Sequence, residues 1–217
     1  MTVNWMMPVA SLAMGYTMGS FSPSDLIARC KKTNLREQNT GNLGTSNTML
    51  TFGVGWGILV LLVDVGKAGL ASVLASLLFP SSSTAGLLAG GASVVGHVFP
   101  FYLKGKGGKG LAPFLGMMLA YDPLTFGVLL LLSVTMSLLL NYTAFMPLTL
   151  GGLFPLAVLI RSTSLPSILI ALTLGVLLIF THRRNIRRAF RREDHTVRQY
   201  LRRIFGKKEK PDQHKCK

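Results

Sequence analysis

Residues 84–110 read TAGLLAGGASVVGHVFPFYLKGKGGKG, an apolar run that ends in a cluster of lysines and glycines. The run from 84 to 103 contains no Asp, Glu, Lys or Arg, and its length matches the about 20 helical residues that cross a hydrocarbon core. In the cluster at 104–110, glycine amides can point at one anion while the lysines add positive charge. The stretch therefore predicts a membrane helix that ends in a phosphate-binding loop.

Two further clusters combine small polar residues, glycine or positive charge in the same way. Residues 40–44 read TGNLG, and residues 182–185 read HRRN. Both lie beside apolar runs, as the cluster at 104–110 does. Three such clusters in one largely apolar chain indicate that the protein handles phosphorylated substrates at a membrane face.

Composition predicts an all-α, polytopic integral membrane protein. Hydrophobic residues make up 49% of the 217-residue chain and charged residues 14%, and the mean hydropathy is +0.45. We expect an integral membrane domain at 1–181 and a basic cytoplasmic tail at 182–217, without a separate soluble domain. The candidate apolar spans are 3–28, 48–63 continuing through 68–79, 84–103, 111–140, 142–160 and 165–181.

The charge pattern predicts the topology. The net charge is +15, and fourteen of the 23 Lys and Arg residues follow Thr181. Basic segments beside membrane spans favour the cytoplasmic side and contact anionic lipid headgroups, and no nucleic-acid-binding module accompanies the charge. Placing all the basic clusters in the cytoplasm gives seven crossings, with the N-terminus outside and the C-terminus cytoplasmic. Five crossings are the alternative. We expect a multi-pass protein of the inner or plasma membrane.

Polar residues inside the spans form a second group of candidates. Asp64 and Lys67 are three residues apart, so a helix would place them on one face, either as an internal ion pair or facing a substrate. His97 lies near the end of its span and is expected to cap or hydrogen-bond there. The pattern of His and Cys residues predicts no metal site, and we expect no cofactor.

Four blocks of the sequence resemble the bacterial acyl-phosphate-dependent glycerol-3-phosphate acyltransferases (PlsY type). The combination GHxFP followed by KGGKG is the most specific of them. In chain order, the blocks are Gly19-Ser20 with Pro23 leading into Arg36 and residues 40–47; Asp64-Val65-Gly66-Lys67; residues 96–100 through 106–110; and residues 182–186.

The resemblance implies a compact seven-helix enzyme whose active site opens to the cytoplasm. Such enzymes transfer an acyl group from acyl phosphate to the 1-hydroxyl of glycerol 3-phosphate and make lysophosphatidate for phospholipid synthesis. This chain departs from the family pattern at four positions. Thr40 replaces a serine, Leu50 falls where the family has an arginine, and Arg192 and Asp194 fall on a glycine and a glutamate.

An acyl phosphate is already activated, so the site must mainly hold two phosphates and stabilise developing oxyanion charge. We assign the donor phosphate to residues 40–44 with the amides of residues 107–110, and the acceptor to Lys106 or Lys109 with His182 and Asn185. His182 is the candidate general base, and the donor's own phosphate is the alternative proton acceptor. The residues predicted to bind phosphate are Thr40, Gly41, Asn42, Gly44, Gly107, Gly108 and Gly110. The predicted supporting residues are Arg36, Asn47, Asp64, Lys67 and His97.

Two other functions remain open on the sequence alone. One is a membrane protein of the same fold whose activity is altered or lost, because of the departures at Thr40 and Leu50. The other is a small transporter of phosphorylated solutes, although the sequence shows none of the internal repeat that many transporters have. The expected partners are acyl phosphate, glycerol 3-phosphate and anionic lipids, and the expected oligomeric state is a monomer.

Overall fold

The computed structural model describes residues 5–162, 164–194 and 196–205. All regular structure in these ranges is helical, which confirms the all-α prediction. Short 3₁₀ turns at Leu35–Glu37 and Phe101–Leu103 accompany the α-helices. The α-helices are α1 (Met6–Ser20), α2 (Pro23–Cys30), α3 (Thr45–Phe52), α4 (Val54–Leu78), α5 (Ala85–Val98), α6 (Leu111–Tyr121), α7 (Pro123–Leu139), α8 (Phe145–Arg161), α9 (Leu165–Phe190) and α10 (Val197–Phe205).

Among the residues that the structure describes, three helical segments are long and apolar enough to cross a membrane. They are α4, α5 with the 3₁₀ turn that follows it, and α9. The helices α6, α7 and α8 are also apolar but shorter. Seven crossings would require these three helices and α1 to cross as well. Each of the four is shorter than the about 20 residues that a straight helix needs to span the hydrocarbon. The number of crossings stays a prediction.

Helix breaks divide three of the predicted spans, and the span predicted at 111–140 is divided at Asp122 into α6 and α7. The span predicted at 3–28 is two helices, because the Ser22 side chain caps α2 by accepting from the Asp25 amide and Pro23 occupies the first turn. The span predicted from residue 48 begins with α3 and bends at Gly53, whose φ is +99°. The domain boundary predicted at residue 181 lies inside α9, so His182 and Asn185 belong to the last long helix.

Close packing of small residues holds the central helices together. A Cβ on Gly15 or Gly19 of α1 would overlap the backbone of α5 at Ala89 and Ser93. Such close backbone approach is how helices associate in a membrane, where lipid removes the hydrophobic drive to pack. The largest core cluster joins α5 through α9 and includes Phe114 and Phe154. Many leucines on the outer faces are exposed, as is expected of surfaces that contact lipid.

The elements that carry the predicted site meet at one end of the bundle. The ends of α1 and α5, the starts of α3 and α6, and the last turns of α9 converge there. At the other end, Asp122 caps α7 and pairs with Arg161 at the end of α8, with 2.7 Å between carboxylate and guanidinium. The two ends therefore differ in chemistry. One collects lysines and glycines, whereas the described residues at the other end carry the ion pair of Asp122 with Arg161.

Candidate active site

The loop at 104–110 is a tight structure between α5 and α6. Lys104, Gly105 and Gly110 all have positive φ, and Gly110 begins α6. The amides of Gly107 and Gly108 donate to the carbonyls of Val98 and His97, each at 3.0 Å. These two amides are therefore already bonded within the protein, and the prediction that they bind a phosphate is not supported by this arrangement.

Close approach is the reason for glycine at positions 107 and 108. A Cβ on Gly107 would overlap the His97 carbonyl, and one on Gly108 would overlap His97 Nε2 and the Leu43 carbonyl. The glycines let the loop lie directly on the end of α5 and on the loop at 40–44. Because these amides are engaged, the lysine side chains are the groups of the loop that remain candidates for binding phosphate.

Asn47 anchors the loop at 40–44. Its side-chain amide donates to the carbonyls of Leu35 at 2.7 Å and Asn42 at 2.9 Å, and its oxygen accepts from the Thr40 amide at 3.2 Å. Asn47 is buried. Its role is thus to shape the loop, which leaves the exposed Thr40 hydroxyl and the first turn of α3 to meet a ligand.

Two side chains tie the loop at 104–110 to other parts of the site. The Arg36 guanidinium donates to the Lys106 carbonyl. The Thr181 hydroxyl lies 2.8 Å from the Lys109 carbonyl. Thr181 is a residue that sequence reasoning missed, although its position directly before His182 was a usable signal. These contacts fix the backbone on both sides of the lysine-glycine cluster.

Lys109 joins the loop to α9. Its Nζ donates to Asn185 Oδ1 at 2.8 Å. Burial lowers the pKa of Lys109. The nearby charge of Asp194 raises this pKa, and those of Arg188 and Arg184 lower it. Asn185 is the hydrogen-bond partner that the described residues give this ammonium, so N–H groups remain to bind an anion. The structure thus brings Lys109 and Asn185 together as the prediction requires.

His182 lies one turn before Asn185 on α9 and is buried. Its Nδ1 is 2.9 Å from the Leu178 carbonyl, which can only accept, so Nδ1 carries the proton. In the neutral ring, Nε2 then keeps a lone pair. A lone pair on Nε2 is what a hydrogen-bond acceptor or general base for a hydroxyl requires.

Asp64, Lys67 and His97 form a separate buried cluster next to the site. The Lys67 ammonium lies 2.8 Å from Asp64 Oδ1, which is the internal ion pair that the sequence left as one of two alternatives. It also donates to the Phe21 carbonyl at 2.7 Å, which sequence reasoning could not have found. The cluster underlies the loop at 104–110 because His97 contacts Gly108.

The departures from the family pattern lie around the site. Leu50 is half-buried on α3. Arg192 follows α9 with φ +59°, a left-handed conformation that glycine adopts without strain. The Asp194 carboxylate lies 3.9 Å from the Arg188 guanidinium and acts electrostatically on Lys109. Asp194 therefore supplies a carboxylate near the site, whereas Leu50 supplies no charge.

Residues 9–192 match the family model described as glycerol-3-phosphate acyltransferase. The enzyme of that name from Shouchella clausii is 34% identical over 190 residues, which are 83% of this chain and 91% of the relative. Glycerol-3-phosphate acyltransferase 1 of Dehalococcoides mccartyi is 35% identical over 188 residues, which are 82% and 90% of the two chains.

Crystal structures of an integral membrane glycerol 3-phosphate acyltransferase, PlsY (YgiH), have the same fold. Its glycerol 3-phosphate form superposes with a TM-score of 0.80 at 28% identity, covering 87% of this chain and 94% of that one. Its lysophosphatidic acid form superposes with a TM-score of 0.79 at 26% identity, covering 89% and 98%.

Proposed function

Because the chain belongs to the glycerol-3-phosphate acyltransferase family, we propose that it transfers an acyl group from acyl phosphate to the 1-hydroxyl of glycerol 3-phosphate. The bond from the acyl carbon to the phosphate oxygen breaks and an ester to the glycerol oxygen forms, while the proton of the 1-hydroxyl passes to His182 Nε2 or to the departing phosphate. The products are lysophosphatidate and inorganic phosphate. The observation that carries the proposal is the junction of Lys109, Asn185 and His182 beside two packed glycine loops.

The acceptor is held at the α9 side of the site. Lys109 and Asn185 bind the phosphate of glycerol 3-phosphate, with Lys106 available from the exposed side of the loop. His182 Nε2 accepts the hydrogen bond of the 1-hydroxyl and orients its oxygen toward the acyl carbon. No covalent acyl-enzyme is needed, because the acyl phosphate is already activated.

The donor phosphate is held at the loop at 40–44. The Thr40 hydroxyl and the first turn of α3 face it, with Gly41 and Gly44 allowing the backbone to approach and Asn42 completing the loop. Leu43 of this loop contacts Gly108, so the two phosphates would sit on adjacent loops. Adjacent phosphates place the hydroxyl of one substrate near the acyl carbon of the other.

An apolar groove of about 460 Å³ between α1, α5 and α9 suits the acyl chain of the donor. Val95, which lines the groove, lies two residues before His97 in the chain, so one end of the groove approaches the loop at 104–110. A chain lying in the groove would keep its acyl phosphate at the membrane face. The lining residues are Leu12, Tyr16, Leu88, Gly91, Ala92, Val95, Leu169, Ile170, Thr173 and Leu174.

The site faces the cytoplasm in a seven-crossing protein of the cell membrane. The arginines of α9 and α10 lie at the same end of the bundle as the loop at 104–110, since Lys109 bonds Asn185 and the Val197 amide donates to the Asn141 carbonyl at 2.9 Å. Arg198, Arg202 and Arg203 on α10 are exposed and suit anionic lipid headgroups. The protein acts as a monomer.

Purified protein in detergent, supplied with palmitoyl phosphate and glycerol 3-phosphate, tests the activity. We expect lysophosphatidate and one equivalent of phosphate, with activity lost in the His182→Ala variant. Asp122→Asn, at the opposite end of the bundle, is the control that should keep full turnover. A folded protein that makes no lysophosphatidate, but carries labelled glycerol 3-phosphate across liposomes, would instead establish the transporter alternative.

A further inference from the structure

A buried triad of Asp64, Lys67 and His97 lies next to the loop at 104–110, and none of the three has a role in the proposed reaction. The three residues are 1%, 8% and 7% exposed. The Lys67 ammonium has three acceptors within reach: the Phe21 carbonyl at 2.7 Å, Asp64 Oδ1 at 2.8 Å and His97 Nδ1 at 3.0 Å. Two of these contacts are hydrogen bonds, to the Phe21 carbonyl and to His97 Nδ1, and the third is the ion pair with Asp64, so the charge of the ammonium is balanced within the protein. Lys67 is thus committed to the fold.

This arrangement selects one tautomer of His97. An ammonium has no lone pair and can only donate, so Nδ1 of His97 is the acceptor. The neutral ring then carries its proton on Nε2. Asp64 Oδ1 lies 3.3 Å from the same Nδ1, which is farther than either atom lies from the ammonium. Lys67 therefore bridges the carboxylate and the imidazole.

The other side of the His97 ring meets the two substrate loops. A Cβ on Gly108 would overlap both His97 Nε2 and the Leu43 carbonyl, so ring, glycine and carbonyl lie in one tight junction. The His97 carbonyl also accepts from the Gly108 amide at 3.0 Å. His97 thus contacts the loop at 104–110 through both its ring and its backbone.

We propose that the triad is a positioning device that sets the distance between the loops at 40–44 and 104–110. Lys67 and Asp64 fix the rotamer and tautomer of His97, and the ring supports Gly108 one residue before Lys109. None of the three touches substrate in this scheme. The proposal rests on the proposed function, since its consequence is the alignment of the two substrate phosphates.

A device of this kind predicts a kinetic signature. A small displacement of the loop would move Lys109 relative to Asn185, and misplacement by about 1 Å can cost about 100-fold in rate. We therefore expect variants of the triad to lower kcat/KM by about 10- to 100-fold. The KM for glycerol 3-phosphate should rise, because the loop carries the lysine that binds it.

Paired substitutions of His97 separate positioning from simple packing. A glutamine amide reaches the place of Nε2, whereas an asparagine amide reaches only the place of Nδ1. His97→Gln should therefore keep more activity and a lower KM than His97→Asn. Lys67→Met should resemble His97→Asn, because the ring loses the donor that fixes it. The matched control is Asp122→Asn, which breaks an ion pair at the far end of the bundle and should leave KM unchanged.

Limited trypsin digestion provides a readout that does not depend on activity. Lys104 and Lys106 are exposed and each precedes a glycine, so their cleavage reports on the loop. Faster cleavage there in His97→Asn than in His97→Gln, at equal thermal stability, supports the proposal. Unchanged cleavage and unchanged KM in both variants would overturn it.

The same digestion keeps the two proposals distinguishable. An inactive wild-type protein would refute the acyltransferase function, while the order of loop cleavage among the His97 variants would still decide the positioning role. If Lys67→Met does not fold, the glutamine and asparagine variants decide, because both keep the ion pair of Asp64 and Lys67.

Discussion

Lys67 and Lys109 are both largely enclosed by protein, yet their surroundings differ in a way that separates support from binding. Lys67 has two hydrogen-bond partners, the Phe21 carbonyl and His97 Nδ1, and the carboxylate of Asp64 as its ion-pair partner. Lys109 has Asn185 Oδ1 as the hydrogen-bond acceptor that the described residues provide. A lysine saturated by its own protein stabilises a structure, whereas one with spare donors can receive an anion. The number of protein partners, more than burial, therefore distinguishes the proposed substrate-binding lysine from the supporting one.

The largest effect should come from removing the unsaturated lysine. Lys109→Met keeps an unbranched side chain as far as Cε and deletes the charged ammonium group. Charged hydrogen bonds contribute about 1.5–3 kcal/mol each, so losing two to a phosphate should lower kcat/KM by about 100- to 10,000-fold. Steady-state kinetics with varied glycerol 3-phosphate would measure this, with thermal unfolding as the control for folding. A loss below about threefold would show that Lys109 does not bind substrate.

Gly108 packs against His97, a partner of Lys67, and directly precedes Lys109. Its substitution should give the next largest effect. A methyl group there would push against His97 and the Leu43 carbonyl, both of which are held by other contacts. We expect Gly108→Ala to destabilise the protein by about 1–3 kcal/mol and to lower kcat/KM by about 10- to 100-fold. Gly127, with open space around its Cβ position, provides the control substitution. Equal kinetics for the two alanine variants would contradict the packing role of Gly108.

The next prediction adds a positive charge near the proposed donor phosphate instead of removing one. Leu50 occupies a position at which the resembling family has arginine, and it is half-buried on α3 beside the loop at 40–44. Leu50→Arg should raise kcat/KM by about tenfold, since one charge-assisted contact contributes about 1.5–3 kcal/mol and the longer side chain has a cost in ordering. The double variant with Thr40→Ser should be at least as active. A decrease in both variants would mean that this chain binds its donor differently.

Much of this site was predictable because local chemistry specifies it. The apolar lengths and the clusters at 40–44, 104–110 and 182–185 follow from residue type and spacing, and the spacing of Asp64 and Lys67 predicted one shared helix face, with an ion pair as one of two alternatives. The engagement of the Gly107 and Gly108 amides did not, because the carbonyls that accept from them belong to a different element. The contact of Lys67 with the Phe21 carbonyl was equally hidden, since its partner is 46 residues away.

The titration of Lys109 should have a smaller effect on the KM for glycerol 3-phosphate, and its direction follows from the lowered pKa. Burial lowers its pKa from 10.5, so raising the pH removes its charge earlier than for a free lysine. The KM for glycerol 3-phosphate should therefore rise severalfold as the pH passes through this lowered pKa. The stability of the fold should increase over the same pH range, although substrate binding weakens. Between the lowered pKa and 10.5 the unfolded chain binds more protons, so this group makes the fold more stable as pH increases.

Lys109→Arg is the variant that isolates this titration, because arginine stays charged throughout the range. Its KM should be flat where that of the wild type rises, whatever its absolute value. The measurement is KM for glycerol 3-phosphate across the alkaline range, with circular dichroism to confirm that both proteins stay folded. Parallel profiles for the two proteins would assign the pH effect to another group.

The smallest effect concerns the end of α9, the helix that holds Asn185 against Lys109. Arg192 has φ +59°, and its amide and that of Glu193 close the helix by donating to the carbonyls of Ala189 and Arg188. Glycine tolerates this conformation, although it also gains freedom in the unfolded chain. Arg192→Gly should therefore stabilise the protein by only about 0.5 kcal/mol, with kcat/KM unchanged. Arg191→Gly, at a φ of −83°, is the matched control and should destabilise by a similar amount. If thermal unfolding ranked the two variants in the reverse order, the strain at Arg192 would have to be relieved by contacts of its own side chain.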